Sequence, residues 1–189
     1  MPWPSTNGLQ FGQGLPGMAQ DSAAFSPCER YRYWLSRELG NPRRRVCWVM
    51  LNPSDATATK PDPTITRCID FTRAWGFGAL DVVNLFAIRS PKPKAIGEAI
   101  SLAGGDLKGA IGQDNDAWIR CKARGANRVV IAWGNHGKIG GRALHVMTIL
   151  GSAGVMPLLF RMTDQGQPEH PLYQRADAKL YGLNGVAVT

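Results

Sequence analysis

The chain is poor in acid, in histidine and in paired cysteine. Its 22 lysines and arginines stand against 14 aspartates and glutamates, three histidines and four cysteines. Cys28, Cys47, Cys68 and Cys121 lie far apart, with no C-x-x-C pair, no secretory leader and no paired histidine spacing. Neither a zinc site nor a disulfide framework is therefore indicated. They read as reduced cytoplasmic thiols, and a four-cysteine iron–sulfur cluster stays open only if distant ligands converge in space. No apolar run approaches the roughly 20 residues that a spanning helix needs. H-E-x-x-H, G-x-S-x-G and acid-rich metal clusters are absent, and Gly134-x-x-Gly137-Lys138 lacks P-loop spacing. These absences rank zinc peptidase, lipase, ATPase and dehydrogenase low, and no metal or cofactor is expected.

What is present is positive charge. A formal +8 and a pI near 9.7 favour a polyanionic partner through phosphate neutralisation and counterion release, nucleic acid before membrane surface. A merely basic soluble protein satisfies the same number. At 189 residues the chain has room for one domain with a full core. Residues 1–25, rich in Gly, Pro, Gln and Ser, are expected to be a mobile or loosely docked arm, and residues 26–189 a single α/β domain.

The apolar patterning supports that division. Val46–Leu51 is a continuous apolar run, which reads as a strand buried on both faces of a parallel sheet. Leu80–Phe86, Arg128–Trp133 and Val155–Phe160 are the next three core strands, and Tyr31–Leu35 is an early one. Between them the spacing predicts helices over Ile65–Trp75, capped by Thr64 and stopped by Gly76, over Ala95–Leu107, over Asn115–Arg124 and over Arg142–Leu150. Alternating strands and helices predict a three-layer α/β/α domain with a central, mainly parallel sheet.

Ligands in such sheets bind beyond the carboxyl ends of the strands. Those positions hold Asn52, Asn84, Trp133-Gly134-Asn135 and, after the last strand and a loop, His170. Two amides, a glycine turn and an imidazole suit a polar, planar, neutral or weakly anionic group. Each also has a bland explanation. Asn52 before Pro53 caps turns, His136 and His170 suit loops, and Trp133 suits a core. Asn84 is the hardest to dismiss, because an amide closing a buried apolar strand needs partners to offset its desolvation. The run Arg43-Arg44-Arg45 fits a solvated turn as well as a phosphate contact.

The segments Leu-Asn-Pro-Ser (51–54), Asp-Pro-Thr (62–64), Asn-Leu-Phe-Ala (84–87), Ala-Trp-Gly (132–134) and Gly-x-Pro-x-His-Pro-Leu-Tyr (166–173) resemble a prokaryotic and phage family catalogued as a domain of unknown function, over about residues 26–175. The same order is more distantly similar to the uracil-DNA glycosylase superfamily. That resemblance implies a DNA glycosylase that hydrolyses the N-glycosidic bond of a flipped base, leaving an abasic site and using no cofactor. It implies that Asn52 positions the water, beside Pro53 and Ser54, that Asn84 reads the base edge, and that His170 stabilises the leaving base. Asp62, with Asp55, is a reserve group for water activation. Phe71 or Trp75 would stack on the base, near Trp133 and Gly134. Pro171 belongs to the motif that inserts into DNA, with Leu172 or Tyr173 as the wedge, and Arg89, Lys92, Lys94, Lys138 and Arg142 would grip phosphates.

The partner so implied is DNA, duplex or single-stranded, with the protein acting as a monomer. A concrete version is an antiviral enzyme acting on glucosylated hydroxymethylcytosine of phage DNA. A non-catalytic reader of modified DNA and an N-glycosidase of free nucleotides are the rival readings.

Overall fold

A computed structural model describes residues 10–13, 21–40, 44–54 and 62–188. The central strands are β4 (Arg45–Met50), β5 (Ala79–Asn84), β6 (Arg128–Ile131) and β7 (Leu158–Leu159). Before them come β1 (Gln10–Gln13), β2 (Ser22–Phe25) and β3 (Arg32–Glu38), and after them β8 (Leu180–Gly182) and β9 (Ala187–Val188). All nine form one sheet in the order β1-β2-β3-β5-β4-β6-β7-β8-β9.

The fold is mixed α/β, as patterning predicts, but the sheet is not mainly parallel. Five neighbouring pairs are antiparallel and three are parallel. The parallel pairs are the buried centre. In β4 the residues alternate between two cores: Val46, Trp48 and Met50 face one cluster, Cys47 and Val49 the other. Burial on both faces removes the apolar–polar alternation, which is why this run is legible in sequence. The antiparallel strands other than β3 are short, and β3 carries Arg32, Ser36 and Arg37 at buried positions, so the flanks lack that signature.

Helix α1 (Pro63–Ala74) sends Ile65, Cys68 and Phe71 into the cluster with Trp48 and Met50. The opposite cluster takes Ile96 and Ala99 from α2 (Lys94–Leu102), Ala110 from α3 (Lys108–Ile111), Ile119 and Ala123 from α4 (Asn115–Gly125), and Val146, Ile149 and Leu150 from α5 (Arg142–Ser152). The stretch expected as one helix over 95–107 breaks after Leu102, where Gly104 (φ 66°) and Gly105 (φ 92°) turn the chain. Cys47 and Cys68 lie in opposite clusters, which separates them with a sheet and rules out a four-cysteine cluster. Among the described residues no three His, Cys, Asp or Glu side chains converge, and no helix is long and apolar enough to cross a membrane.

Within the segment expected as an arm, Gln10–Gln13 and Ser22–Phe25 are strands of the sheet. Ala23 and Ala24 are fully buried there, because small side chains let β2 lie close under its neighbours. Asn41, Pro42, Arg43 and Asp55 fall outside the described residues.

The strand order fixes where a site can form. The chain leaves β4 for α1 on one face and leaves β6 for α5 on the other, while β4 and β6 are parallel neighbours. Loops that diverge to opposite faces open a crevice at the carboxyl ends of those two strands.

Candidate functional site

A pocket of about 470 Å3 occupies that crevice. It is lined by Asn52 and Ser54 after β4, Asn84 at the end of β5, Trp133, Gly134, Asn135 and His136 after β6, and His170, Leu172 and Tyr173 from the late loop. Asp62 and Thr64 at the start of α1, Ser90, Pro91 and Pro93, and Arg32 also line it. The volume falls within the ~300–1,000 Å3 usual for small-molecule sites.

Asn52 is oriented by its neighbours. Its Nδ2 donates to the Ser90 carbonyl at 2.8 Å and to the Pro53 carbonyl at 3.1 Å. With both amide hydrogens engaged, Oδ1 is what this side chain offers, an acceptor suited to holding a water. The segment is tied further by Ser90 N–H donating to the Pro53 carbonyl at 2.8 Å.

Asn84 pairs with Met50 in the parallel register and is 1 % exposed. Its Nδ2 has no hydrogen-bond partner among the described residues. A buried amide without a partner costs about 1–3 kcal/mol, and a ligand that accepts from it offsets that cost. Its main chain is held by Asn115, whose Nδ2 donates to the Asn84 and Leu85 carbonyls at 2.9 and 3.1 Å. Asn115 reads in sequence as part of an acidic turn opening a helix; it is fully buried at the first position of α4.

His170 caps the 3-10 turn Pro171–Tyr173, its Nδ1 accepting from Leu172 N–H at 3.3 Å. That bond selects the tautomer with hydrogen on Nε2. Burial lowers its pKa from the ordinary histidine value, and Asp62 opposes the shift without cancelling it. The turn is held by Arg67, which donates to the Gln174 carbonyl at 2.6 Å, and by Glu169. Arg161 grips Glu169 with two bonds at 2.5 and 2.9 Å and, as the main cause, holds its carboxyl below the usual range.

Gly134 brings the β6 end under this turn. Its φ of 72° with ψ of −173° suits glycine alone, and its N–H donates to the Pro168 carbonyl at 2.8 Å. Gly137 lies on the Trp133 indole, where a Cβ would sit 2.1 Å from the ring. Trp133 is thereby pinned, with Nε1–H donating to Gln167 at 3.0 Å.

Asp62 is the N-cap of α1 in place of Thr64. Its Oδ1 accepts from Ile65 N–H at 2.8 Å and Oδ2 from the Ser54 hydroxyl, and Pro63 takes the first helical position. This side chain is a cap as well as a wall of the pocket.

Arg32 has no counterpart in the motif reading. It is 2 % exposed and lines the pocket; burial lowers its pKa to about 10, opposed by Asp62 and reinforced by Arg89 and Arg37. It is thus charged at neutral pH. The only sequence signal is an arginine inside a strand of otherwise buried residues.

Three expected residues lie elsewhere. Phe71 and Trp75 pack with Trp48 and Phe160, ring centroids 4.8–6.4 Å apart, and neither lines the pocket. The helix starts at the pocket and carries Trp75 roughly 20 Å away. Arg142 is 2 % exposed, donates from Nε to the Leu85 carbonyl at 2.8 Å and pairs with Asp116. It braces the β5 end and has no face for phosphate. Lys92, Lys94 and Lys138 are exposed and do not line the pocket; Lys94 pairs with Glu98 and Lys138 donates to Gln165, while Arg89 donates to the Glu29 carbonyl at 3.0 Å.

Comparison with known proteins gives one result. The family model described as a protein of unknown function, DUF1643, matches residues 32–172. No curated protein and no solved structure matches the chain.

Proposed function

We propose that this chain, which belongs to the DUF1643 family, hydrolyses the N-glycosidic bond of a base flipped out of DNA. The observation that carries the reading is the convergence of Asn52, Asn84, Asp62 and His170 on one pocket at the β4 and β6 ends. Asn52, Asp62 and His170 each also hold a turn or cap a helix, but the Asn84 Nδ2 in their midst is buried with no partner among the described residues.

Breaking the bond leaves positive charge on the sugar and negative charge on the base. The site then needs a placed water, donors to the base and a way to exclude solvent. Asn52 offers the acceptor for the water, Asn84 meets the polar edge of the base, and neutral His170 donates from Nε2. Because the sugar cation is strongly electrophilic, the water needs position more than a strong base. Asp62 supplies negative charge near the sugar while it caps α1.

Exposed cations fit the partner. Lys92, Lys94 and Lys138 are read as the phosphate contacts, and Leu172 and Tyr173, 46 % and 76 % exposed, suit a wedge that fills the gap left by the flipped base. With Leu172 as the wedge, Tyr173 takes over the stacking role, since Phe71 and Trp75 belong to the core. The two helix-covered faces are read as the three-layer form of a uracil-DNA glycosylase-like fold. The concrete version of this reading is a substituted base such as glucosylated hydroxymethylcytosine and a role in defence against phage.

The test is incubation with DNAs carrying uracil, hypoxanthine, hydroxymethylcytosine or its glucosylated forms, followed by chemical cleavage of abasic sites. We expect strand breaks on at least one substrate, reduced about 100-fold or more in Asn52→Ala and His170→Ala. Breaks that persist unchanged in both variants would show that the assigned roles are wrong.

A further inference from the structure

The pocket holds its two strand-end amides in different ways. The Asn52 amide is locked: Nδ2 donates to the Ser90 and Pro53 carbonyls, and turning it over would set Oδ1 against two acceptors. The Asn84 amide is not locked. Among the described residues, none accepts from its Nδ2 or donates to its Oδ1. The side chains beside it on the same face of the sheet, Val82 two residues earlier and Met50 in the parallel register, are apolar and line the same pocket. Asn115 grips the main chain of Asn84 and leaves its side chain alone.

The nitrogen and oxygen of an amide have nearly the same shape, so a half-turn about the Cβ–Cγ bond exchanges donor and acceptor without displacing a neighbour. At Asn52 that half-turn breaks two hydrogen bonds. At Asn84 it breaks none with the described residues. His170 resembles Asn52 in this respect, since Leu172 N–H occupies Nδ1 and leaves Nε2–H as a fixed donor. The pocket therefore combines a fixed acceptor, a fixed donor and one amide that presents either.

Pyrimidine bases divide along the same line. All of them carry the 2-carbonyl, an acceptor that suits a fixed donor. Their outer edge differs: 4-oxo bases present N3–H beside a carbonyl, and 4-amino bases present a bare N3 beside an amino group. One pattern is the other with donor and acceptor exchanged. Resting on the N-glycosidase reading, we propose that Asn84 reads both edges by turning its amide over, so that the substrate class is pyrimidines of the 4-oxo and 4-amino kinds alike. Selection among them then falls to contacts other than Asn84. A locked amide at this position would set donor against donor on one kind and separate the two roughly tenfold or more.

The test is NMR titration of the full chain with free bases matched except at the 4-position, uracil against cytosine and 5-hydroxymethyluracil against 5-hydroxymethylcytosine. The wild type is expected to bind the two members of each pair with dissociation constants within about threefold of each other. Asn84→Leu, similar in volume and without a polar atom to bury, should fold and should lose about tenfold for both members alike; the wild-type ratio decides the matter alone if it does not fold. A larger wild-type difference in either pair, a loss in Asn84→Leu confined to one member, or binding of no base overturns the proposal. Matched binding with no base released from any DNA leaves the two-way reader standing and retires the hydrolase reading.

Discussion

His170 is the residue whose chemistry the surroundings constrain most. Protonating Nδ1 would cost the bond from Leu172 N–H, and burial already lowers the pKa. The imidazole therefore works neutral. In the proposed reaction the single-turnover rate should stay flat from pH 8 down through 6.5 and fall only below His170's lowered pKa. A rate that drops as pH rises through 6.5 would instead mark a catalytic imidazolium. The linkage has the same sign: the unfolded chain binds the proton first, near pH 6.5, so the stability from neutral His170 is complete above that value and is lost as pH falls through the folded pKa. An NMR titration of the ring reads both. Asn52, Asn84, Gly134 and His170 were legible because each follows an apolar run or sits in a turn with a distinctive sequence. Arg32 and Asn115 were not, since a polar residue inside a strand or at a helix start looks like surface until its neighbours bury it.

Individual elements decide how well these residues are held. Helix α1 was legible, but its cap was misplaced by two residues because Pro63 moves the first helical position back and lets Asp62 cap it. Phe71 and Trp75 looked like stacking candidates for the same reason that they make good core: apolar residues at helical spacing face the sheet. The link from Gly134 to Pro168 sets the height of the His170 turn over β6. Gly134→Ala should cost about 1–3 kcal/mol through its backbone conformation alone, since its Cβ would meet His170 Cβ only at 4.0 Å. Denaturant unfolding checks the stability, and a changed ring shift of His170 checks the displacement.

For the whole molecule, the parallel centre, two-sided core and crevice at β4 were readable from buried runs and their order. Of the antiparallel flanks, β3 was readable from the alternation over 31–35, but the rest were not, because β8 and β9 have two or three residues each and β1 and β2 lie in a Gly- and Pro-rich stretch. The charge of +8 acts at this scale too. If Lys92, Lys94 and Lys138 contact phosphate, each alanine substitution should weaken DNA binding whatever the sequence and reduce the salt slope by about one. Fluorescence anisotropy at several salt concentrations measures this, and an unchanged slope removes that lysine from the interface. The most direct measurement is mass spectrometry of the small molecules released when the purified protein acts on DNA carrying modified bases. A free base with its substituent intact is expected, in amounts equal to the abasic sites formed and about 100-fold or more lower with Asn52→Ala. Tight binding of the same DNA with no base released by the folded wild type would contradict it.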